Sequence, residues 1–106
     1  MDRLTGITGF QWDEGNLSKN PGKHGVANSE SEDIFFNEPL IVADDMKHSG
    51  IERRWFALGK TNAERRLFVV FTIRKDKIRI ISSRDMNRKE QNSYEKAEKN
   101  SSGIQD

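Results

Sequence analysis

The sequence contains no cysteine among its 106 residues. A disulfide framework, a thiolate metal site and a thiol nucleophile are therefore excluded. No stretch approaches the roughly 20 apolar residues that a membrane-spanning helix needs, and residues 1–10 lack the charged start and apolar run of a signal peptide. We expect a cytoplasmic protein with no membrane partner, held together by packing. A chain of this length predicts a single domain over residues 1–106.

Sequence motifs of several common enzyme classes are also missing. The chain has no phosphate-binding glycine loop, no His-x-x-x-His or Cys-x-x-Cys metal spacing and no Gly-x-Ser-x-Gly elbow. We therefore expect no metal site and no cofactor.

Charge is distributed unevenly along the chain, although the formal net charge is only +1. The window 28–45 contains six acidic residues and no Lys or Arg, whereas the window 53–89 contains twelve basic residues against three acidic ones, a net of +9. A basic half can attract a polyanion while the acidic half limits indiscriminate binding. Solvation of a small domain's surface explains the same pattern equally well.

Short apolar segments bounded by turn-forming residues predict the strands. The predicted strands are 8–12, 40–43, 54–58, 67–73 and 77–82. The last two should form a hairpin, with Ile78 and Ile80 on one face and Arg79, Ile81 and Ser83 on the other.

Capping residues predict three helices. The first is short and is stopped by the Pro-Gly pair at 21–22. The second begins at a capping box of Ser29 and Glu32, buries residues 34–35 and ends at Pro39.

The third helix begins at Asn87, with Glu90 completing a capping box, and its polar end at 99–106 should fray. The order of elements predicts an α+β fold. It has an N-terminal strand and short helices, an antiparallel sheet of about four strands, and a C-terminal helix.

His24 and His48 are the side chains that titrate near neutral pH, and each follows a lysine in a polar, glycine-containing loop. Either histidine can act as a general acid or base, and a solvated loop histidine is the alternative. Lys23 and His24 before Gly25 can also hold a phosphate ahead of the following helix. A simple turn is the alternative there.

Four arginines lie on or at the ends of neighbouring predicted strands: Arg54, Arg74, Arg79 and Arg84. Clustered guanidinium groups repel one another unless an anion lies between them, and a binding surface accepts this repulsion for bidentate phosphate contacts. We expect a phosphate-binding surface rather than simple solvation. Tyr94 can stack on an RNA base or donate a proton, with helix-to-sheet packing as an equal alternative.

Blocks of residues along the chain follow the order and spacing of one known family. The early blocks are FQWDE at 10–14 and NPGKHGV at 20–26. The middle ones are Phe36 with Pro39, DMKH at 45–48, and ERR at 52–54 ahead of Gly59. The late ones are VVFTIR at 69–74, RIISSR at 79–84, RKE at 88–90 and Tyr94. Together they resemble the BrnT ribonuclease toxins of bacterial toxin-antitoxin pairs, over a core at about 8–98.

The resemblance implies a RelE-like fold and a metal-independent endoribonuclease that arrests translation. It also implies neutralisation by a BrnA-like antitoxin with a ribbon-helix-helix part, through which alone operator DNA would be contacted. The candidates for catalysis are His24, His48, Arg54 and Arg79, and those for RNA binding are Lys23, Arg74, Arg84 and Tyr94. The chain departs from the family at Asn16 (usually lysine), at 21–22 (usually helix) and at Ser83 (usually alanine).

Cleavage of RNA without a metal needs a base for the 2′-OH, an acid for the leaving 5′ oxygen and cations for the phosphorane. Histidine and arginine suffice for this chemistry. Two alternatives remain at this point. The same arginines can serve a non-catalytic RNA- or partner-binding module, such as an inactivated toxin, or the sheet can exist chiefly to dock a partner's helix.

Overall fold

The computed structural model describes residues 6–11, 25–48, 50 and 52–103, without the side chains of His48 and residues 101–103. The predicted first helix lies outside the described residues. None of the helices within these ranges is long and apolar enough to cross a membrane.

The described elements confirm the α+β class and the C-terminal helix. In chain order they are β1 (Gly9–Gln11), α1 (Asn28–Asp33), β2 (Ile41–Asp44), β3 (Trp55–Lys60), β4 (Arg66–Arg74), β5 (Lys77–Asp85) and α2 (Arg88–Gly103). Short 3-10 turns at Ile34–Phe36 and Met46–His48 follow α1 and β2.

The strands form one five-stranded sheet in the order β1-β5-β4-β3-β2. β1 runs parallel to β5, and the other pairs are antiparallel. The expected antiparallel sheet of about four strands was therefore wrong, because the sheet has five strands and is mixed, with the predicted N-terminal strand joining it in parallel. The long-range bond from the Thr8 N–H to the Asp76 carbonyl (2.8 Å) leads into β1, and a pairing across 68 residues has no local sequence signal.

One face of the sheet, which we call the inner face, carries the main core. Leu67, Val69 and Phe71 alternate along β4 and pack with Val26 and Ile34, and all five side chains are fully buried. This alternation is the two-residue period of a strand with one covered face.

Helix α1 starts earlier than predicted and is shorter. Ala27 is the N-cap, and its N–H donates to the Glu30 carboxylate at 3.0 Å, so the expected capping box of Ser29 and Glu32 was wrong. The earlier start places the fully buried Ser31 against the sheet, while Ile34 falls in the 3-10 turn.

A β-bulge at Ile81 changes which side chains face the inner core. Phe71 pairs with Ile80 but the preceding Val70 pairs with Ser82, so Ile81 is an extra residue. A bulge of this kind shifts the alternation by one position. Ser83, predicted to share a face with Arg79, instead is fully buried; its hydroxyl lies 2.7 Å from that of Ser31, which packs on the inner face. That prediction was wrong because it assumed strict alternation.

The opposite, outer face is half covered by α2. Leu58, Met86 and Tyr94 form a second buried cluster with the partly buried Ile41 and Phe68. The predicted capping box at the start of α2 is confirmed: the Glu90 N–H donates to Asn87 Oδ1 at 2.8 Å, and the Asn87 N–H to Glu90 Oε1 at 2.9 Å. The helix continues through Gly103, beyond the point where we expected fraying.

Replacing Gly59 by alanine should destabilise the domain. An added Cβ would lie 2.8 Å from Ile34 Cβ and 3.2 Å from Leu40 Cδ1, and overpacking of this kind costs roughly 1–3 kcal/mol. Urea unfolding of Gly59→Ala measures the loss. Gly50→Ala is the matched control, because its Cβ would have no atom within 4 Å. Equal losses in the two variants would contradict the close packing at Gly59.

Candidate functional site

Three strands place a row of polar side chains on the open half of the outer face. Trp55 and Phe71 pair across β3 and β4 and both pack in the inner core. Thr72, the next residue of β4, pairs with Arg79 of β5. Neighbouring residues of a strand point to opposite faces, so Thr72 and Arg79 face outwards, as does Arg54 directly before β3.

The carboxylate of Glu52 lies among these arginines. Arg74, at the end of β4, donates from Nε to Oε2 at 2.7 Å and from Nη2 to Oε1 at 3.2 Å. The hydrogen bond from Arg74 lowers the pKa of Glu52, burial opposes it, and the charges of Arg74, Arg79 and Arg54 lower it further. The structure thus places three of the four predicted arginines on the same half of the outer face, and one of them, Arg74, is in direct contact with Glu52. We call Arg54, Arg74 and Arg79 the arginine cluster.

Two depressions flank the arginine cluster. A cavity of about 190 Å³ is lined by Asp45, Arg54, Val70, Ile81 and Ser82. A more open cleft of about 480 Å³ is lined by Phe10, Gln11, Arg74, Lys75, Asp76 and Lys77. Arg54 lines one depression and Arg74 the other, so the cluster borders both.

Arg84, the fourth predicted arginine, lies apart from the cluster and contacts α2. Its Nη1 and Nη2 donate to the two oxygens of Glu90 at 2.9 and 3.0 Å, and its guanidinium carbon lies 4.1 Å from the centre of the Phe68 ring. Burial opposes ionisation of Glu90. The hydrogen bonds from Arg84 and from the Asn87 N–H, with the charge of Arg84, nevertheless leave the pKa of Glu90 below its ordinary value. Arg84 therefore anchors the start of α2 to the sheet.

Several other basic side chains are paired with carboxylates in the fold. Arg65 bonds both Glu30 (3.2 Å) and Asp85 (2.7 Å), and Arg53 bonds Asp44 at 2.9 Å. Two of these carboxylates come from the acidic window 28–45. Charges that are segregated along the sequence are therefore partly paired in space. The net charge of +9 counted for residues 53–89 overstates the positive charge that is available to bind an anion.

The arginine cluster has the chemistry of an anion site. Arg54, Arg74 and Arg79 are guanidinium groups from three different stretches of chain, and such groups recognise the oxygens of a phosphate in a bidentate manner. Across the described residues, no group of three or more His, Cys, Asp or Glu side chains could hold a metal ion.

The family model described as "Ribonuclease toxin, BrnT, of type II toxin-antitoxin system" matches residues 12–90. The chain belongs to the BrnT family. The resemblance predicted from the sequence blocks is thus confirmed, and the matched range contains the whole arginine cluster. No curated protein matches the chain.

The other BrnT-type candidates are placed less fully. Lys23 and His24 lie outside the described residues, as do Asn16 and the 21–22 pair. The backbone of His48 ends the Met46–His48 turn. That turn follows Asp45, whose N–H donates to the Arg54 carbonyl at 2.9 Å.

Glu52 was missed as a site residue by sequence reasoning, although it begins the ERR block of the BrnT resemblance. A signal was present: an acid stands immediately before a strongly basic stretch and next to two arginines. Local charge alone does not reveal that Arg74, 22 residues further along, completes the contact.

Tyr94 lies in the core. Its ring is fully buried, its hydroxyl donates to the Pro39 carbonyl at 2.7 Å, and the Arg66 guanidinium carbon lies 5.6 Å from the ring centre. Burial, with the nearby charge of Glu98, raises the pKa of Tyr94 to about 12. A ring without exposed surface offers no stacking platform to a base, so this position fits the packing alternative.

Replacing Tyr94 by phenylalanine should therefore lower stability and leave RNA binding unchanged. The variant leaves the partly buried Pro39 carbonyl without its partner, and loss of a hydrogen bond of this kind costs about 0.5–1.5 kcal/mol. Urea unfolding and the affinity for a 2′-O-methyl RNA oligonucleotide measure the two effects. Weaker RNA binding at unchanged stability would contradict the packing role.

Proposed function

We propose that the chain is a metal-independent endoribonuclease toxin that cleaves RNA, inhibits translation in the cytoplasm and is neutralised by a BrnA-like antitoxin. The proposal includes a ribbon-helix-helix DNA-binding part in that antitoxin and a RelE-like fold for this chain. Membership of the BrnT family supports the reaction class. The observation that carries the proposal for this chain is the placement of Arg54, Arg74 and Arg79 on the open half of the outer face, with Arg74 in two-point contact with a carboxylate.

A backbone phosphodiester matches the arginine cluster by charge. It carries one negative charge in the ground state and gains a second as the 2′ oxygen attacks phosphorus. Fixed guanidinium groups bind the second charge more strongly than the first, and such preorganised electrostatic stabilisation is usually the largest single contribution to catalysis. The two flanking depressions leave room for the nucleotides on either side of the bond.

The proton transfers require further groups. His24 and His48 are the proposed donors and acceptors, because imidazole titrates near neutral pH. Arg54 and Arg79 would stabilise the phosphorane, while Lys23 and Arg74 would hold the RNA backbone. Arg84, which was an RNA-binding candidate, has no direct part because Glu90 holds it towards α2. Tyr94 has no direct part in this scheme because its ring is buried.

A second candidate function is a non-catalytic module that binds RNA or an acidic segment of a partner. The observation in its favour is that the same cluster already holds a carboxylate, that of Glu52, in a two-point contact with Arg74. Salt-sensitive binding without cleavage would support this alternative.

Purified protein, free of antitoxin, should cleave single-stranded RNA in the presence of EDTA. Arg79→Ala should lower the cleavage rate by about 10²- to 10³-fold, the loss typical of removing one donor to a developing oxyanion. Lys96→Ala is the charge-matched control, because Lys96 is exposed on α2. Intact RNA with the wild-type protein would refute the enzyme assignment.

Expression in a bacterial host tests the toxin assignment separately. Growth should stop with the wild-type chain and continue with His24→Ala or Arg79→Ala, or when the cognate antitoxin is co-expressed. Equal growth arrest by all three chains would show that the effect does not depend on the proposed site.

A further inference from the structure

Glu52 is an acidic residue inside a site that should bind an anion. Its carboxylate competes with a phosphate for Arg74 and repels the phosphate by like charge. Only 37% of its side chain is exposed, Arg74 contacts both of its oxygens, and the charges of Arg79 and Arg54 also lower its pKa. A carboxylate in this position weakens substrate binding, so its presence calls for a chemical reason.

The contact with Arg74 orients the carboxylate without saturating it. A carboxylate has about four lone-pair positions on its two oxygens. Arg74 uses one position on each oxygen, at 2.7 and 3.2 Å, so each oxygen keeps a further acceptor position. The two-point contact also fixes the plane of the carboxylate, which is the preorganisation that a proton-transfer group needs.

We propose that Glu52 is the general base that accepts the 2′-OH proton when RNA is cleaved at the arginine cluster. The inference rests on the ribonuclease function proposed above. It assigns a catalytic role to a residue absent from the candidates taken from the sequence, and it leaves the acid role to His24 or His48.

The step balances without a metal or a further reactant. The ribose 2′ O–H bond breaks, its proton goes to a Glu52 oxygen, and the 2′ oxygen forms a bond to phosphorus. The bond from phosphorus to the 5′ oxygen then breaks, and that oxygen takes a proton from the acid. The products are a 2′,3′-cyclic phosphate and a 5′-hydroxyl end.

The arginine cluster suits this role at both stages of the reaction. In the free protein the arginines keep Glu52 ionised at neutral pH, which is the state that can accept a proton. As the phosphorane gains its second negative charge, the same arginines are drawn towards it. Their hold on the carboxylate weakens, and the proton affinity of Glu52 rises as the proton arrives.

Glu52→Gln distinguishes a base from a competing anion by the sign of its effect on the rate. Glutamine keeps the size of the side chain and can still accept a bond from Arg74, but it cannot take the proton. We expect the single-turnover cleavage rate to fall by roughly 10²- to 10⁴-fold. We also expect affinity for an uncleavable 2′-O-methyl RNA to stay equal or rise, because a negative charge is removed. Cleavage as fast as wild type, or faster, would overturn the inference and mark Glu52 as a mere competitor of the phosphate.

Asp85→Asn is the matched control. Asp85 accepts the same kind of two-point contact from Arg65, at 2.7 and 3.1 Å, and the Arg65 hydrogen bond likewise lowers its pKa. It lies six residues along β5 from Arg79, roughly 20 Å away at the rise of a strand. The cleavage rate of Asp85→Asn should stay within a few-fold of wild type. A loss of rate equal to that of Glu52→Gln would overturn the inference.

Glu52→Asp distinguishes loss of the base from a folding defect. A carboxylate one methylene shorter retains the base in a poorer position, so its rate should lie between those of wild type and Glu52→Gln. An aspartate variant no faster than the glutamine variant, with equal thermal melting, would count against a base. Wild-type protein that binds RNA without cleaving it would instead refute the ribonuclease function itself, and the inference with it.

Discussion

The pairing of β4 with β5, including its bulge at Ile81, is the constraint on which both the core and the site depend. Before the bulge, Ile78 and Ile80 face the inner core and Arg79 faces outwards; after it, Ser83 faces inwards. A strand without the extra residue would place Ser83 on the outer face, and the Ser31 hydroxyl would lose its buried hydrogen-bond partner. The bulge thus lets one strand close the inner core along its whole length and still present arginines on the outer face.

The arginine cluster is stable because its repulsion is countered within the site. Like-charged groups brought together on a sheet destabilise the folded state unless an opposite charge lies between them. Glu52 supplies that charge in the free protein, and a phosphodiester would supply it in the complex. The same carboxylate therefore has a structural consequence, since it favours folding of an empty cationic site, and in the proposed reaction it would also have a chemical one, since the arginines keep it ionised and able to accept a proton.

Sequence reasoning predicted those elements whose signals are local. The strong strands β4 and β5 and the capping box of Asn87 and Glu90 follow from alternation and from short-range hydrogen bonding, and the structure confirms them. It failed where the determining contact is distant along the chain. The parallel pairing of β1 and the bulge opposite Val70 both arise from tertiary packing, which overrides local preference.

The candidate site divides along the same line. Arginines on adjacent strands could be predicted to converge, and the structure brings three of the four together. Arg84 does not join them because Glu90 and Phe68 hold it towards α2. Tyr94 could not be assigned from its sequence position, since a helix residue facing the sheet and one facing solvent have the same local signature. Glu52 was not predicted as a site residue because its role depends on a contact with Arg74, which lies on a strand 22 residues further along the chain.

The outer face of the sheet carries two opposed demands, and the fold meets them by dividing that face. A domain of this size buries too little surface to leave a whole sheet face open, so α2 covers the half that contains Leu58 and Phe68 and forms a second core there. The uncovered half needs charged groups with access to solvent and ligand, and these lie at the ends of β3 and β4 and on β5 next to β1. Side chains such as Arg84 and Tyr94 belong to the covered half despite their place in the family's sequence blocks. Membership of a family block therefore does not decide which half of the outer face a residue serves. The direction in which its side chain points decides it.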